Sequence, residues 1–215
     1  MAQSAGSAAR PDKARGLFSD NADFTLYSQH MNLLAVLYDV VTPAEAPAIL
    51  SRITVPGQGI DAPPGMFATT YYFAWYLARA FEHAGLAQRY PELLKTWRDL
   101  LALHYTTWPE SRGETRSDTH AWSAHPTADL LGVVAGIQPA APGYARLQVA
   151  PNLGALTALD ATAATPSGPV SVHYAIQAGQ LTAEIGRPVN LPGDFIWKGR
   201  HYPLTAAQSR FVLPQ

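Results

Sequence analysis

The residue types best suited to chemistry lie close together in residues 106–126, which read TTWPESRGETRSDTHAWSAHP. Proline and glycine in this stretch predict a loop. Glu110 can activate a water molecule, His120 can hydrogen-bond sugar hydroxyl groups, and the indole of Trp122 can stack on the apolar face of a pyranose ring. The segment therefore indicates sugar hydrolysis or sugar binding.

Each of these residues alone also has an ordinary structural explanation. A single glutamate in a loop is usually solvated, and a single tryptophan usually belongs to a hydrophobic core. Asp118 is as well suited to cap a helix that begins at Thr119 as to contact a ligand. The histidines are scattered and no HExxH or Cys-His spacing occurs, so we predict neither a metal site nor a cofactor.

Composition narrows the class of protein. Fifteen basic and sixteen acidic residues give a net charge of −1, which argues against a nucleic-acid partner. No run of about 18 apolar residues occurs, so no membrane span is expected. The apolar fraction of 47% and the charged fraction of 14% predict folded domains. The N-terminal residues lack the apolar core of a secretory signal, and the compartment stays unassigned.

The chemical segment lies between helices that apolar spacing predicts. Thr42, Pro43 and Glu45 have the order of a helix start with a capping box. Residues 56–65 predict a loop. The predicted helices are residues 26–41, a helix starting at Thr42, and residues 66–84, 91–104 and 119–135, the last kinked at Pro126 and stopped by Gly136.

Two of these helices differ in polarity. Residues 66–84 are apolar nearly all round, which predicts burial on all sides. Residues 91–104 are amphipathic, with Leu94, Trp97 and Leu101 predicted to face inward. A buried helix beside a half-exposed one is typical of a two-layered helical barrel.

The periodicity changes near residue 139 from helical to twofold, which predicts an antiparallel β-domain. Ala178 and Gly179 form the predicted turn between its two clearest strands. The predicted strands are residues 146–149, 157–163, 170–176, 181–185, 194–198 and 209–213. We expect an α+β chain with a flexible tail at residues 1–14, a helical domain at 15–139 and a β-domain at 140–215.

The string RSDTHAWSAHP, preceded by TTWPE, resembles the signature of glycoside hydrolase family 78, the α-L-rhamnosidases. Thr119 stands where that family commonly has cysteine. Further stretches are similar to the family, namely RGLFSD at residues 15–20, YSQHMN at 27–32 and GIQPAAPGYARLQVAP at 136–151. The resemblance thus runs from about residue 15 to the end.

The resemblance implies part of an (α/α)6 barrel, followed by a C-terminal β-sandwich, and release of terminal L-rhamnose with inversion. Glu110 would be the general base, and His120 and Trp122 would help form the rhamnose site. Inversion also needs an acid, roughly 6.5–9.5 Å from the base. The family's acid lies in an earlier barrel segment that has no counterpart here, and Glu114 and Asp118 are the only nearby carboxyl groups.

Three interpretations follow. The chain is a segment of a rhamnosidase that acts on rhamnose-containing glycosides, or a truncated, non-catalytic product that at most binds sugar or partners. A third is another inverting (α/α)6 hydrolase, because related folds act on different substrates. In the first two cases the partner of the helical layer would be an upstream half of the barrel or a second copy of the chain.

Overall fold

The computed structural model describes residues 11–215, in two compact units that divide between His125 and Pro126. Most of the predicted tail lies outside the described residues. Its last part is not a free tail, because strand β1 (Pro11–Asp12) pairs antiparallel with strand β2 (Leu17–Phe18). The Tyr27 hydroxyl also donates to the Asp12 carboxylate at 2.6 Å.

The first unit is helical, and its connections include the predicted turns of residues 56–65. Ser28 caps the first helix by accepting from the Met31 N–H at 3.2 Å. The α-helices are α1 (Gln29–Leu37), α2 (Ala46–Arg52), α3 (Ala74–His83), α4 (Tyr90–Leu93) and α5 (Lys95–Ala102), with a 3-10 turn at Ala87–Arg89. These helices alone do not define a barrel.

The predicted capping box before helix α2 forms only in part. The backbone N–H and the hydroxyl of Thr42 both donate to the Glu45 carboxylate, at 2.9 and 2.7 Å. These bonds lower the pKa of Glu45 from its ordinary value. The helix itself begins only at Ala46, because residues 42–45 form a separate turn.

The prediction of one helix over residues 66–84 is wrong for its first part, since α3 starts at Ala74. The Phe67 N–H donates to the Tyr27 carbonyl and the Gln29 N–H donates to the Phe67 carbonyl, both at 2.9 Å. The backbone before α3 is therefore paired with another segment and is not free to form helix. Burial on all sides is also wrong: Phe67 is exposed, and Trp75 in α3 is only half-buried.

The amphipathic prediction for residues 91–104 is partly correct. Leu93, Trp97 and Leu100 are buried, as spacing along one helical face requires. Leu101 was predicted to face inward but lies on the neighbouring face and is exposed.

The predicted helix over residues 119–135 divides into three pieces: a 3-10 turn (Ala121–Ala124), helix α6 (His125–Asp129) and a π-helical turn (Leu130–Val134). Pro126 does not kink the helix, because it sits in the first turn of α6, where proline fits. Gly136 ends the run with φ of +76°, as predicted.

The second unit contains two four-stranded sheets. One has the order β10-β7-β6-β5 and is antiparallel throughout; the other has the order β3-β4-β8-β9. The strands are β3 (Ile137–Pro139), β4 (Leu147–Val149), β5 (Ala158–Thr165), β6 (Gly168–Gln177), β7 (Gln180–Gly186), β8 (Gly193–Trp197), β9 (Arg200–Pro203) and β10 (Gln208–Pro214). The fully antiparallel prediction fails at one pair, since β4 and β8 run parallel.

The two sheets share one hydrophobic core. Alternate residues of β6, Val170, Val172 and Tyr174, are buried together with Leu147 and Phe195 of the other sheet. The Tyr174 hydroxyl donates to the Ala135 carbonyl at 2.9 Å, and burial raises the pKa of Tyr174. Because the residues just before β3 join this core, the second unit begins before residue 139.

Among residues 11–215 no helix is both long and apolar enough to cross a membrane.

Candidate functional site

Residues 107–120 form a loop with two paired arms. The Glu110 N–H donates to the Ser117 carbonyl at 2.9 Å, and the His120 N–H donates to the Trp108 carbonyl at 2.8 Å. The Thr107 hydroxyl donates to the Asp118 carbonyl at 2.7 Å. This pairing places Glu110 opposite Ser117 and Trp108 opposite His120, and so brings the two arms together.

The Glu110 carboxylate is held by Arg116 through both of its oxygens. Arg116 Nε lies 3.1 Å from Oε2, and Nη2 bonds the other oxygen. The Glu110 side chain is 11% exposed, whereas that of Arg116 is 85% exposed. The Arg116 hydrogen bonds lower the pKa of Glu110 despite its burial, and the charges of Arg116 and His120 lower it further. Glu110 is therefore ionised at neutral pH, as a general base must be.

His120 and Trp122 belong to one aromatic surface centred on Tyr72. The ring of Tyr72 lies 5.0 Å from His120 and 5.7 Å from Trp122, measured between ring centroids. Tyr76 lies 5.9 Å from Trp122. Trp122 is 45% exposed, so part of its ring remains open for stacking.

The 3-10 turn that carries Trp122 is held in place by a hydrogen bond from Trp97. The Trp97 indole N–H donates to the Ser123 carbonyl at 2.9 Å, and Trp97 is buried. The His125 ring packs edge-on against Trp97 at 5.0 Å. His125 is therefore a buried packing residue, whereas His120 lies in the partly exposed aromatic surface.

The other carboxyl groups of this loop are placed differently from Glu110. Glu114 and Asp118 are exposed. Asp118 does not take the predicted capping position, because the 3-10 turn begins at Ala121 and His120 occupies its cap. Within residues 11–215 no group of three His, Asp or Glu side chains is arranged to hold a metal ion.

Two contributors to the site were missed by sequence reasoning. Tyr72 lies far before the loop in sequence, and nothing in its neighbours indicates contact with His120. Arg112 bonds the Thr69 carbonyl at 2.7 Å and the Asp61 carboxylate at 2.6 Å. The sequence signal for them was weak: aromatic residues are frequent in residues 67–76, and the loop carries two arginines, Arg112 and Arg116.

The second unit, the β-unit, matches a known domain family, and most of the chain matches solved structures. Residues 136–194 match the bacterial α-L-rhamnosidase C-terminal domain family. A solved family 78 rhamnosidase from Bacillus sp. GL1 aligns over 86% of this chain, with a TM-score of 0.70 and 22% identity. The chain has the fold of the C-terminal portion of an α-L-rhamnosidase.

Two further rhamnosidase structures agree with this fold. The enzyme from Dictyoglumus thermophilum aligns over 93% of the chain, with a TM-score of 0.71 and 15% identity. The enzyme from Streptomyces avermitilis, solved in complex with L-rhamnose, aligns over 85%, with a TM-score of 0.66 and 16% identity. The chain spans 21% to 26% of the length of these three rhamnosidases. No curated protein sequence matches the chain.

Proposed function

We propose that this chain supplies the general base and part of the sugar-contact surface for the inverting hydrolysis of terminal α-L-rhamnosides. The observation that carries the proposal is the ionised, largely buried Glu110 carboxylate beside the aromatic surface of Tyr72, His120 and Trp122. The rhamnosidase fold supports the choice of sugar, and the Streptomyces enzyme was solved with L-rhamnose bound.

In the proposed reaction, Glu110 accepts a proton from the water that attacks the anomeric carbon. Trp122 stacks on the apolar face of the sugar ring, and His120 bonds a hydroxyl group. The leaving oxygen must be protonated by an acid on the opposite side of the sugar. Glu114 and Asp118 do not fit that role, because both lie on the same loop as Glu110.

The proposed setting is a partial (α/α)6 barrel at residues 15–139, followed by a β-sandwich domain at 140–215. The similarity to rhamnosidases of about four times this length supports it. The remaining barrel wall, and with it the acid, would come from an upstream half of the barrel or from a second copy of the chain.

Sugar binding without catalysis is the second candidate function. The pairing of Arg116 with both oxygens of the Glu110 carboxylate favours it. A carboxylate whose two oxygens are both bonded to a guanidinium is a weak base, because its pKa is lowered. The exposed part of Trp122 remains available for stacking whether or not Glu110 acts as a base.

Leaving-group dependence tests the catalytic proposal. A dinitrophenyl leaving group departs without protonation, so its rhamnoside needs a base but no acid. We expect the 215-residue chain to hydrolyse dinitrophenyl α-L-rhamnoside slowly and phenyl α-L-rhamnoside not at all. Loss of a general acid typically removes about 10²–10⁴-fold in rate. Glu110→Gln should lose the dinitrophenyl activity, and Glu184→Gln, in strand β7 of the second unit, should retain it.

Equal dinitrophenyl rates for the parent and Glu110→Gln would remove the base role and leave sugar binding as the function. Phenyl rhamnoside turnover that disappears in Glu110→Gln would show that an acid is present in this chain.

A further inference from the structure

Arg112 connects the middle of the loop of residues 107–120 to residues that lie far away in the sequence of the same unit. One nitrogen, Nη1, donates to the Thr69 carbonyl at 2.7 Å, and the other, Nη2, donates to the Asp61 carboxylate at 2.6 Å. The guanidinium also lies over the Tyr71 ring, 5.3 Å from its centroid. Such charge-assisted bonds fix orientation as well as distance.

The segment that receives Arg112 is itself held by a buried polar side chain, Gln29. Its amide nitrogen donates to the carbonyls of Ile53 and Ile60, at 2.7 and 3.2 Å. Its amide oxygen accepts from the Thr69 N–H at 2.7 Å. Gln29 is fully buried, so these three bonds are costly to break.

Arg112 therefore binds a segment that buried hydrogen bonds hold in place. The Thr69 N–H donates to Gln29 and the Thr69 carbonyl accepts from Arg112, so Thr69 connects the buried Gln29 side chain to the loop. Three residues later, Tyr72 contacts both His120 and Trp122. The same short segment thus locates the loop of Glu110 and the aromatic surface beside it.

We infer that Arg112 is a positioning residue that holds the Glu110 carboxylate in place beside the aromatic surface. This inference rests on the proposed function, because it gives Arg112 a purpose only if Glu110 is used. Arg112 lies between Glu110 and Arg116 in the sequence of the loop. Its bonds to Asp61 and Thr69 hold in place the loop backbone that carries both residues.

The electrostatic neighbours of Glu110 are consistent with an indirect role. The groups that lower the pKa of Glu110 are Arg116, by hydrogen bonding and charge, and His120, by charge; burial opposes them. Arg112 is not among them, although it is only two residues away. The proposed effect of Arg112 on Glu110 is therefore through the position of the loop, by way of the bonds to Thr69 and Asp61.

The test is a carbon-13 NMR titration of the Glu110 carboxyl group in the full 215-residue chain, with no sugar present. In Arg112→Ala the released loop lets the exposed Arg116 be solvated part of the time, so the pKa of Glu110 should shift upward. The Glu110 N–H should also exchange with solvent faster, on the order of tenfold. Arg112→Lys retains a donor and should restore part of both effects.

Arg98→Ala is the matched control, since Arg98 is an exposed arginine of the same unit whose guanidinium donates to the Pro91 carbonyl in a weak 3.4 Å contact. It should leave the Glu110 titration unchanged. If Arg112→Ala does not fold, Asp61→Asn decides, because it weakens one anchor and keeps the arginine.

An unchanged Glu110 titration in a folded Arg112→Ala chain, or in Asp61→Asn if the first does not fold, would overturn the inference. Because no sugar is used, this outcome leaves the proposed function standing. Conversely, failure of the leaving-group test would leave the loop anchor intact as a structural finding.

Discussion

At Glu110, the contact that keeps the carboxylate ionised also makes it less basic. Arg116 engages both oxygens, and its own side chain is mostly in solvent. A general base works best when its pKa is near the working pH. In the proposed reaction the bidentate pair would therefore have to open before Glu110 takes a proton from water, and the exposed Arg116 guanidinium can be solvated when it leaves the carboxylate.

The pair also makes a pH-dependent contribution to stability. Because the pKa of Glu110 is lowered in the folded chain, this contribution is present above the ordinary carboxyl pKa and is lost as the pH falls through the lowered value. Arg116→Ala should raise the pKa of Glu110 toward its ordinary value and so remove most of this contribution, and the less stable chain should unfold at a higher pH on acidification. Carbon-13 NMR titration measures the first effect, and acid unfolding followed by circular dichroism measures the second.

Arg210→Ala provides the comparison for Arg116→Ala. Arg210 pairs with Glu184 at 3.2 Å, with both side chains exposed on the β-unit. Its removal should leave the Glu110 titration as in the parent. A Glu110 pKa that stays low in Arg116→Ala would mean that the pairing is not what lowers it.

Among the elements, strands were easier to predict than helix limits. Val170, Val172 and Tyr174 alternate strictly with polar residues, and the structure buries all three. The region before α3 was wrongly predicted as helix because Phe67, Tyr71 and Trp75 follow helical spacing, while the Phe67 backbone pairs with residues that lie far away in sequence. Periodicity reports local preference, and a long-range backbone pairing overrides it.

Gly136, which ends the last helical turn, allows a sharp test at the same scale. Its φ of +76° is unfavourable for other residues, and a Cβ there would lie 2.2 Å from the Ala150 backbone carbon. Gly143 has a similar φ of +64° but open space around it. Gly143→Ala should cost about 1 kcal/mol, and Gly136→Ala at least about 2 kcal/mol more, in urea unfolding. Equal losses would show that the crowding at Gly136 is relieved by small backbone shifts.

For the whole molecule, the motif located the loop but not its surroundings. Glu110, His120 and Trp122 could be predicted as site candidates because they lie within one short string, whereas Tyr72, Asp61 and Thr69 reach the same region only through folding. The parallel pairing of β4 with β8 was missed for the same reason, since nothing local in either strand encodes its partner. Local spacing predicts which residue types are available, and tertiary contacts decide which of them meet.

The proposed sugar site can be tested directly by titrating the nitrogen-15-labelled 215-residue chain with L-rhamnose, with D-glucose as the control sugar. We expect L-rhamnose to shift the signals of the Trp122 indole N–H and of the backbone N–H groups of Glu110 and His120. These shifts should disappear in Trp122→Ala and persist in Leu103→Ala, which removes an exposed apolar side chain elsewhere on the same unit. Shifts confined to residues 126–215, or identical shifts with D-glucose, would contradict the assignment of the sugar to this surface.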